Sequence, residues 1–252
     1  MMSSSLANLT WPAIKALQEE GRDMLVLPCG ATEQHGSHLP VNTDTVIAEA
    51  VCRAAGEKAG IAVLPPLAFT VSVGHTAKWP GTFSLSHETF IQTVCEIADW
   101  AAITGWKRLL LVNSHFGNDA SLRVAVDKVR TSKMGDFQIG WRHTFSLTDE
   151  IWSYFISDGD DVHANKAETD LMLHLAPQTV VMEAVEDDPD RTAGTIFSYP
   201  VAQTSRNGVT GSPSLGSAEA GEKLFKSMVE ALAQVLKAAA VETPPLTLTE
   251  LP

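Results

Sequence analysis

Residues 24–38 read MLVLPCGATEQHGSH and join a short apolar run to a polar, glycine-containing turn. The apolar part, Met24–Pro28, is typical of a buried strand. Glu33 and His35 follow it, two residues apart. In extended backbone such side chains point the same way, so we expect this carboxylate and imidazole to project together from the end of the strand.

Outward from this stretch, short apolar runs alternate with amphipathic segments. The runs predict further strands at Ile61–Leu64, Arg108–Asn113 and Phe137–Trp141. Cap residues and apolar stripes predict helices that begin at Thr10-Trp11-Pro12, Asn42-Thr43-Asp44, Ser86, Asp119, Ala167 and Ser217. The alternation predicts an α/β fold in one domain over residues 1–252, with helices around a mainly parallel sheet. Ligands of such sheets bind beyond the carboxyl ends of the strands.

The composition narrows the function class. Lys and Arg number 18 against 30 Asp and Glu, a net charge of −12, and no basic cluster suggests a nucleic-acid partner. Cys29, Cys52 and Cys95 are scattered, which favours a reducing compartment over a disulfide framework. The N-terminal segment lacks signal-peptide features, and no apolar run approaches the roughly 20 residues of a membrane helix. We therefore expect a soluble, cytoplasmic protein without a membrane partner.

Further metal-binding residue types follow other predicted strand ends and helix starts. Asp44 lies in the first turn of the helix after His35, and His115 comes directly after the strand Arg108–Asn113. His163 and Glu168 flank the start of a later helix. The mixed carboxylate and imidazole set suits Zn²⁺, Mn²⁺ or Fe²⁺. It comprises Glu33, His35, Asp44, His115 and Glu168.

Five donors exceed the needs of one tetrahedral ion. One bridging carboxylate with two further ligands on each side would hold two ions about 3.5–4 Å apart. Each residue also has an ordinary interpretation: Asp44 as a helix cap, and His115 as a donor to a backbone carbonyl. Their joint placement at neighbouring strand ends favours the metal hypothesis. Glu183–Asp190 is interpreted as a solvated acidic loop, and the histidines without such placement as surface, packing or supporting residues: His38, His87, His143 and His174.

Five segments together resemble the creatininase (creatinine amidohydrolase) family. They are GATEQHGSHLPVNTD, GHTAKWPGTFSLS, LLLVNSHFGN, HANKAETD and NGVTGSPSLGS, which fall between about residues 25 and 217. The resemblance implies a three-layer α/β/α sandwich, a dinuclear metal centre and hydrolysis of a non-peptide amide or cyclic amide C–N bond. It also implies homo-oligomers, commonly hexamers built as trimers of dimers.

The resemblance assigns roles to the donor set. Glu33 and His115 would hold one ion, His35 the other, and Asp44 would bridge them. Glu168 matches the Glu of an HxGxxET-like family segment and would complete the second site. The cofactors implied are two divalent ions per subunit, with Zn²⁺ favoured over Mn²⁺ or Fe²⁺.

His163 stands where the family keeps an acid/base histidine, and we predict that it protonates the leaving nitrogen. His75, Trp79 and Thr82, in GHTAKWPGT, are predicted to line the substrate pocket. The alternative is that these three residues only pack their loop. The expected partner is a small-molecule amide substrate.

Two departures from the creatinine-hydrolysing members bear on the substrate. Those enzymes carry a metal-binding Glu two residues beyond the strand-end His, where this chain has Gly117. They also carry a Trp just before the acid/base His, where this chain has residues 157–161, SDGDD. Loss of that stacking surface disfavours creatinine itself, and Glu168 becomes the second-site ligand.

Three alternatives remain open from the sequence. Another branch of the family, which shares the NxHxGN and HxxxxET elements, removes a formyl group from a pyrimidine nucleotide. A dinuclear phosphoesterase would use the same ligand types. Both would need cationic phosphate contacts, for which only Arg142, Arg206, Lys78 and Lys166 are scattered candidates. The third is a non-catalytic, metal-binding member in a maturation complex.

Overall fold

The computed structural model describes residues 5–76 and 78–246. Strands and helices alternate through most of the chain, as the apolar pattern predicts. In chain order they are α1 (Trp11–Glu19), β1 (Met24–Cys29), α2 (Thr43–Ala59), β2 (Ala62–Val63), α3 (His87–Ile103), β3 (Arg108–Asn113), α4 (Asp119–Ser132), β4 (Gln138–His143), α5 (Asp149–Phe155), α6 (Lys166–Leu175), α7 (Val201–Thr204) and α8 (Ala218–Val241). Of the C-terminal tail that the sequence suggests is extended, residues 247–252 lie outside the described ranges.

The four strands form one parallel sheet in the order β2-β1-β3-β4. At the carboxyl edge, Cys29 pairs with Asn113, and Asn113 pairs with His143. Because these strands end in line, the polar segments that follow β1 and β3 start side by side. The mainly parallel sheet of the prediction is confirmed.

Helices cover both faces of the sheet. On one face Val26 and Val112 pack with α2, α5, α6 and α8. On the other, Leu27 and Leu111 pack with α3 and α4. Neighbouring strand residues point to opposite faces, and β1 and β3 are apolar throughout because both faces are covered. This is the expected three-layer α/β/α sandwich.

Several helices begin at the predicted caps. The side chain of Ser86 accepts a hydrogen bond from N of Thr89, and that of Ser217 accepts one from N of Ala220. Each bond satisfies a backbone N–H that the first turn leaves unpaired. Thr10 makes no such side-chain bond, and α1 begins instead with proline in its first turn.

The final helix, α8, is 24 residues long and amphipathic. Its buried stripe includes Leu224, Met228 and Leu232, whereas exposed pairs such as Glu219 with Lys223 lie on its outer side. It therefore caps the α2–α6 face of the sheet. Among the described residues, no helix is both long and apolar enough to cross a membrane.

The sequence prediction differs from the structure in four places. The sequence does not predict helix α5. The helix nevertheless has a capping residue, because the side chain of Thr148 accepts a hydrogen bond from N of Ile151. Strand β4 begins one residue later and ends two residues later than predicted, and β2 keeps only two residues. Residues 177–213, whose weak periodicity and several Gly and Pro predict a loop with short strands, contain the helix α7 besides an antiparallel bridge between Asp188 and Gly211.

The interpretation of Glu183–Asp190 as a solvated acidic loop is wrong for Asp188. This side chain is buried and accepts hydrogen bonds from the Arg191 guanidinium, at 2.5 and 2.9 Å, and from the Ser205 hydroxyl at 2.9 Å. N of Arg206 also donates to it, at 2.7 Å. The carboxylate thus ties the loop to the segment that follows α7.

Candidate metal centre

The predicted ligands converge at the carboxyl edge of the sheet. Glu33 and His35 come from the loop after β1, Asp44 from the first turn of α2, and His115 from the residues just after β3. Glu168 comes from the first turn of α6. All five side chains are buried. The parallel register explains the meeting of the first four, because the ends of β1 and β3 are neighbours.

The five residues form two triads that share Asp44. In the first, His115 Nδ1 lies 3.3 Å from Asp44 Oδ2, and His115 Nε2 lies 3.3 Å from Glu33 Oε2. In the second, His35 Nε2 lies 3.5 Å from Asp44 Oδ1 and 4.0 Å from Glu168 Oε2. Within each triad, one ligand atom from every residue lies within 4.8 Å of the others. The sharing of Asp44 matches the bridging role that the family resemblance implies for it.

The residues fit divalent ions because their polar atoms are buried without partners. Both carboxylate oxygens of Glu33, Nε2 of His35, Oδ2 of Asp44 and Oε2 of Glu168 lack a hydrogen bond. An unpaired buried polar atom costs about 1–3 kcal/mol, and more when it is charged. Five such atoms around one point indicate a site that cations complete.

Hydrogen bonds to backbone carbonyl oxygens fix the orientation of both ligand rings. His35 Nδ1 donates to O of Glu33 at 3.0 Å, which leaves Nε2 facing the second triad. His115 Nε2 donates to O of Val71 at 2.9 Å, which leaves Nδ1 facing Asp44. Metal-bound histidines are commonly held in this way through the other ring nitrogen.

The charges of the centre perturb one another strongly. Burial alone would lower the pKa of His35, but Asp44, followed by Glu168 and Glu33, raises it to about 10. In His115, burial is likewise outweighed by Glu33 and Asp44, and its pKa rises to about 9. Burial raises the pKa of Glu168 to about 7. Without ions, the two imidazoles therefore hold protons at neutral pH and serve as the counter-charges of the carboxylates.

His163 and His75 stand beside the first triad. Each has Nδ1 3.3 Å from Oε1 of Glu33. Nε2 of His163 lies 2.9 Å from the backbone O of Gln34 and 2.9 Å from its side-chain Nε2, so either neutral tautomer has a partner. Burial and the neighbouring imidazoles lower the pKa of His163 well below its usual range, and that of His75 to about 3. Both rings are therefore neutral at pH 7.

A backbone position with positive φ lies between His163 and Glu168, two residues that both line the cavity described below. Ala164, between His163 and the helix cap Asn165, has a φ of +50°, and it is the only non-glycine residue with positive φ in the described ranges. It is fully buried. The Asn165 side chain accepts from N of Glu168 and caps α6, which begins three residues after His163. Strain of this kind persists where the surroundings fix it, commonly at functional sites.

Gly117 has no room for any side chain. A Cβ added there would lie 2.4 Å from O of Val71 and 2.5 Å from Nε2 of His115. The carboxylate of the second triad therefore cannot come from this position with the present backbone. It comes from Glu168, as the sequence comparison with creatinine-hydrolysing enzymes predicts.

The triads lie at one wall of a cavity of about 210 Å³. Glu33, Asp44, His115, Glu168 and His163 line it, and so does the predicted pocket residue His75. The other two predicted pocket residues are absent from its wall: Thr82 accepts a hydrogen bond from N of Gln34, and the Trp79 ring lies under the Lys78 ammonium. In the single chain, Thr82 thus supports the site from behind and Trp79 packs its own loop.

Several residues that line the cavity were not predicted from the sequence. Aromatic side chains line one side of the cavity, and two aspartates lie in the loop that precedes His163. A signal for the aspartates was present in the sequence, since they stand two and three residues before a predicted catalytic histidine. These residues are Phe116, Phe145, Phe155, Tyr199, Asp160 and Asp161.

The sequence model of the family described as "Creatininase: Creatinine amidohydrolase" matches residues 7–236. The chain belongs to the creatininase family. A creatinine amidohydrolase from Pseudomonas putida is 30% identical over 94% of this chain and 98% of its own length. A mycofactocin precursor peptide peptidase from Mycobacterium ulcerans (strain Agy99) is 32% identical over 90% of this chain and 86% of its own length. The similarity to these two enzymes indicates that the chain is a hydrolase. The two relatives act on different amide substrates.

Solved structures support the same assignment. A tryptophan-to-phenylalanine mutant creatininase superposes with a TM-score of 0.84 at 30% identity, covering 95% of this chain and 100% of that one. A structure described as "Creatininase Mn" superposes with a TM-score of 0.83 at 28% identity, covering 96% of this chain and 100% of that one. A further mutant creatininase is described as Zn-Zn type. It superposes with a TM-score of 0.83 at 28% identity, covering 96% of this chain and 100% of that one. Solved creatininases thus include zinc and manganese forms.

Proposed function

We propose that this creatininase-family hydrolase is a divalent-metal amidohydrolase that cleaves a small, non-peptide amide C–N bond. The observation that carries the proposal is the pair of carboxylate and imidazole triads that share Asp44. They place unpartnered oxygens and a neutral histidine on the same cavity wall. Two divalent ions, with Zn²⁺ favoured over Mn²⁺ or Fe²⁺, would polarise the amide carbonyl and make water a nucleophile near neutral pH.

The residues of the chain supply charge, orientation and proton transfer. Three buried carboxylates, Glu33, Asp44 and Glu168, offset the charge of the cations. Backbone oxygens hold the His35 and His115 rings so that one nitrogen of each stays free. This preorganisation keeps the ligands in place without rearrangement during the reaction.

His163 is the proposed acid/base residue. Its Nδ1 faces Glu33, while Nε2 can either donate to the backbone O of Gln34 or accept from its side-chain amide. A ring with a partner in both tautomers can take a proton at one nitrogen and release it without losing its position. Such a group suits proton delivery to the leaving nitrogen.

The cavity wall bears on the alternatives left open by the sequence. Within the described residues, no lysine or arginine lines the cavity. Lys166 is engaged by Asp170, and Lys78 donates to O of Arg206. Apart from the proposed ions, a phosphate group would therefore find no cationic side chain, which disfavours a nucleotide deformylase and a phosphoesterase. The presence of His163 beside the triads disfavours a non-catalytic role.

A peptide substrate is the second candidate. It is favoured by one observation, the similarity to mycofactocin precursor peptide peptidases at 32% identity over 90% of this chain. The small volume of the cavity, about 210 Å³, favours a compact amide over an extended chain. The bond type separates the two candidates in the same assay.

The test is a substrate panel with protein loaded with Zn²⁺ or Mn²⁺. Small lactams, cyclic ureas, formamides and linear amides are compared with short peptides, with ammonia, formate or ring opening as the readout. Turnover of a small amide that stops after chelation supports the proposal. Cleavage of peptides alone would support the second candidate, and inactivity of the loaded protein on every compound would contradict both.

We also propose the assembly implied by the family resemblance, a homo-oligomer of identical single-domain subunits, with a hexamer built as a trimer of dimers. Light scattering after size exclusion checks it against the chain mass of 27.1 kDa. A monomeric mass would contradict it.

A further inference from the structure

Two aspartates face the cavity without serving the fold or the triads. Asp160 and Asp161 line the cavity wall in the loop that precedes His163. Within residues 5–76 and 78–246, neither carboxylate has a hydrogen-bond or ion-pair partner. Only their backbone N–H groups are engaged.

Neighbouring aspartates behave differently. The Asp158 carboxylate accepts from Nδ2 of Asn165 at 2.9 Å and from N of Lys166 at 3.0 Å. The Asp190 carboxylate accepts from N and Oγ1 of Thr192, each at 2.7 Å. In this acidic region the fold therefore uses two carboxylates that do not line the cavity and leaves the two at its wall unpaired.

The loop is nevertheless held in place. Oδ2 of Asp190 accepts from N of Asp160 at 3.0 Å and from N of Asp161 at 3.3 Å. This contact fixes the backbone, so the two side chains are presented to the cavity by a defined support. Burial, and then the Asp190 charge, raises the pKa of Asp161, in keeping with a carboxylate that lacks a cationic neighbour.

The charge at the cavity wall calls for a positive ligand group. The carboxylates of Glu33, Asp44 and Glu168 face the ions of the proposed function, whereas Asp160 and Asp161 lie outside the triads. No lysine or arginine among the described residues lines the cavity to neutralise them. Nearby rings such as Phe155 and Tyr199 add faces that attract cations.

We propose that Asp160 and Asp161 select substrates that carry a protonated amine or guanidinium group near the scissile amide. This inference rests on the proposed function and names the substrate class of the same site. An ammonium beside these carboxylates, of which Asp161 is half-buried and Asp160 is exposed, gains charge-assisted hydrogen bonds, whereas an anionic group is repelled.

The test uses three amides that differ only in the group at the end of a propyl chain. γ-Aminobutyramide is cationic, valeramide is its neutral counterpart and glutaramate is anionic. We expect kcat/KM of the zinc-loaded protein to favour γ-aminobutyramide over valeramide by about tenfold, with glutaramate the poorest. The preference should decline as ionic strength rises.

The decisive variant is Asp160→Asn combined with Asp161→Asn. The ratio of kcat/KM for the cationic to the neutral amide should fall at least about fivefold, while zinc content and circular dichroism stay as in the parent. Asp136→Asn is the matched control, because this exposed aspartate precedes β4 at the opposite edge of the sheet. The ratio should be unchanged in that variant.

The possible failures are distinguishable. Hydrolysis without charge preference, or a preference that survives the double variant, overturns this inference and leaves the proposed function intact. If none of the three amides is hydrolysed, the proposed function fails for them, and calorimetric binding to the zinc-loaded protein decides the inference. Equal binding of the cationic and neutral amides, or no binding of either, then overturns it.

Discussion

Nδ1 of His163 lies 3.3 Å from Oε1 of Glu33, although the two residues are 130 positions apart in the chain. This contact places the ring of the proposed acid/base residue against a proposed ligand. His163 itself belongs to neither of the two triads that share Asp44. His163→Ala should therefore retain zinc and lose hydrolysis by at least about a hundredfold. Elemental analysis and amide turnover measure the two effects.

Unchanged turnover in His163→Ala would remove this residue from the mechanism. Loss of zinc together with activity would instead make it a ligand, as the proximity of His163 to Glu33 and His35 allows. The matched control is His87→Ala, since His87 contacts Ser121 outside the site.

The metal content follows from the two triads. Parent protein loaded with zinc should carry about two ions per chain. Glu33→Gln and His115→Ala each remove a ligand of the first triad and should lower that number toward one. Mass spectrometry under native conditions or elemental analysis checks it. Full occupancy in both variants would contradict the ligand assignment.

Metal uptake should be coupled to proton release. The pKa of His35 is raised to about 10 and that of His115 to about 9, so both rings are protonated at pH 7 before ions bind. Ions bind only the neutral imidazole and the ionised carboxylate, so uptake at pH 7 should release about two protons from the rings, together with the fraction of a proton that Glu168 holds because its pKa is about 7. Uptake should weaken as pH falls. Calorimetry in buffers of different ionisation enthalpy measures the number. Uptake without proton release would contradict the combination of protonated rings before binding and ring nitrogens as ligands.

The backbone at Ala164 predicts an asymmetric response to substitution. Glycine tolerates a φ of +50°, so Ala164→Gly should change the free energy of unfolding by no more than about 1 kcal/mol. Ala164→Val adds a branched side chain to a buried position in the left-handed region and should destabilise by about 3 kcal/mol or more. Denaturant unfolding measures both. Equal stability of the two variants would show that the conformation is not strained.

The buried Asp188 predicts a loss of stability in acid. Hydrogen bonds from Arg191 lower the pKa of this carboxyl from 3.8 to about 2. Because the folded pKa lies below the unfolded one, the stabilisation, about 2 kcal/mol, is present above pH 4 and disappears as pH falls to about 2. Asp188→Asn should therefore cost about 2 kcal/mol at pH 7 and much less near pH 2, as read from unfolding curves at each pH.

Asp127→Asn is the control for this effect. Asp127 also pairs with an arginine three residues away, Arg130, but both side chains are about two-thirds exposed. Its loss should cost no more than about 0.5 kcal/mol at any pH. Similar costs for the two variants would show that burial does not strengthen the Asp188 pair.

The core of the fold could be predicted because its strands are continuous apolar runs. β3 has the predicted bounds, and β1 extends one residue further, to Cys29. Helix α5 escaped prediction because its seven residues, which include Trp152 and Tyr154, are too few to show a helical period. Edge strand β4 is only half-buried, so its ends carry a weak hydrophobic signal.

The site could be predicted where it depends on strand ends. Glu33, His35 and His115 follow β1 and β3, and parallel pairing brings those ends together. Asp160 and Asp161 could not be found in this way, because their placement depends on Asp190, about 30 residues later in an irregular segment. The start of a later helix predicts Glu168 as a donor, and the resemblance assigns it to the second ion. Its distance from His35 follows from tertiary packing and not from spacing.

The support of the loop before His163 by main-chain contacts has a consequence for retargeting this enzyme. The Asp190 carboxylate accepts hydrogen bonds from the backbone N–H groups of residues 160 and 161, and within the described ranges the side chains of these two residues make no contact that the fold needs. New residues at these two sites would alter what enters the cavity while the chelating cluster stays intact. A library randomised there would sample new specificities at little risk of unfolding.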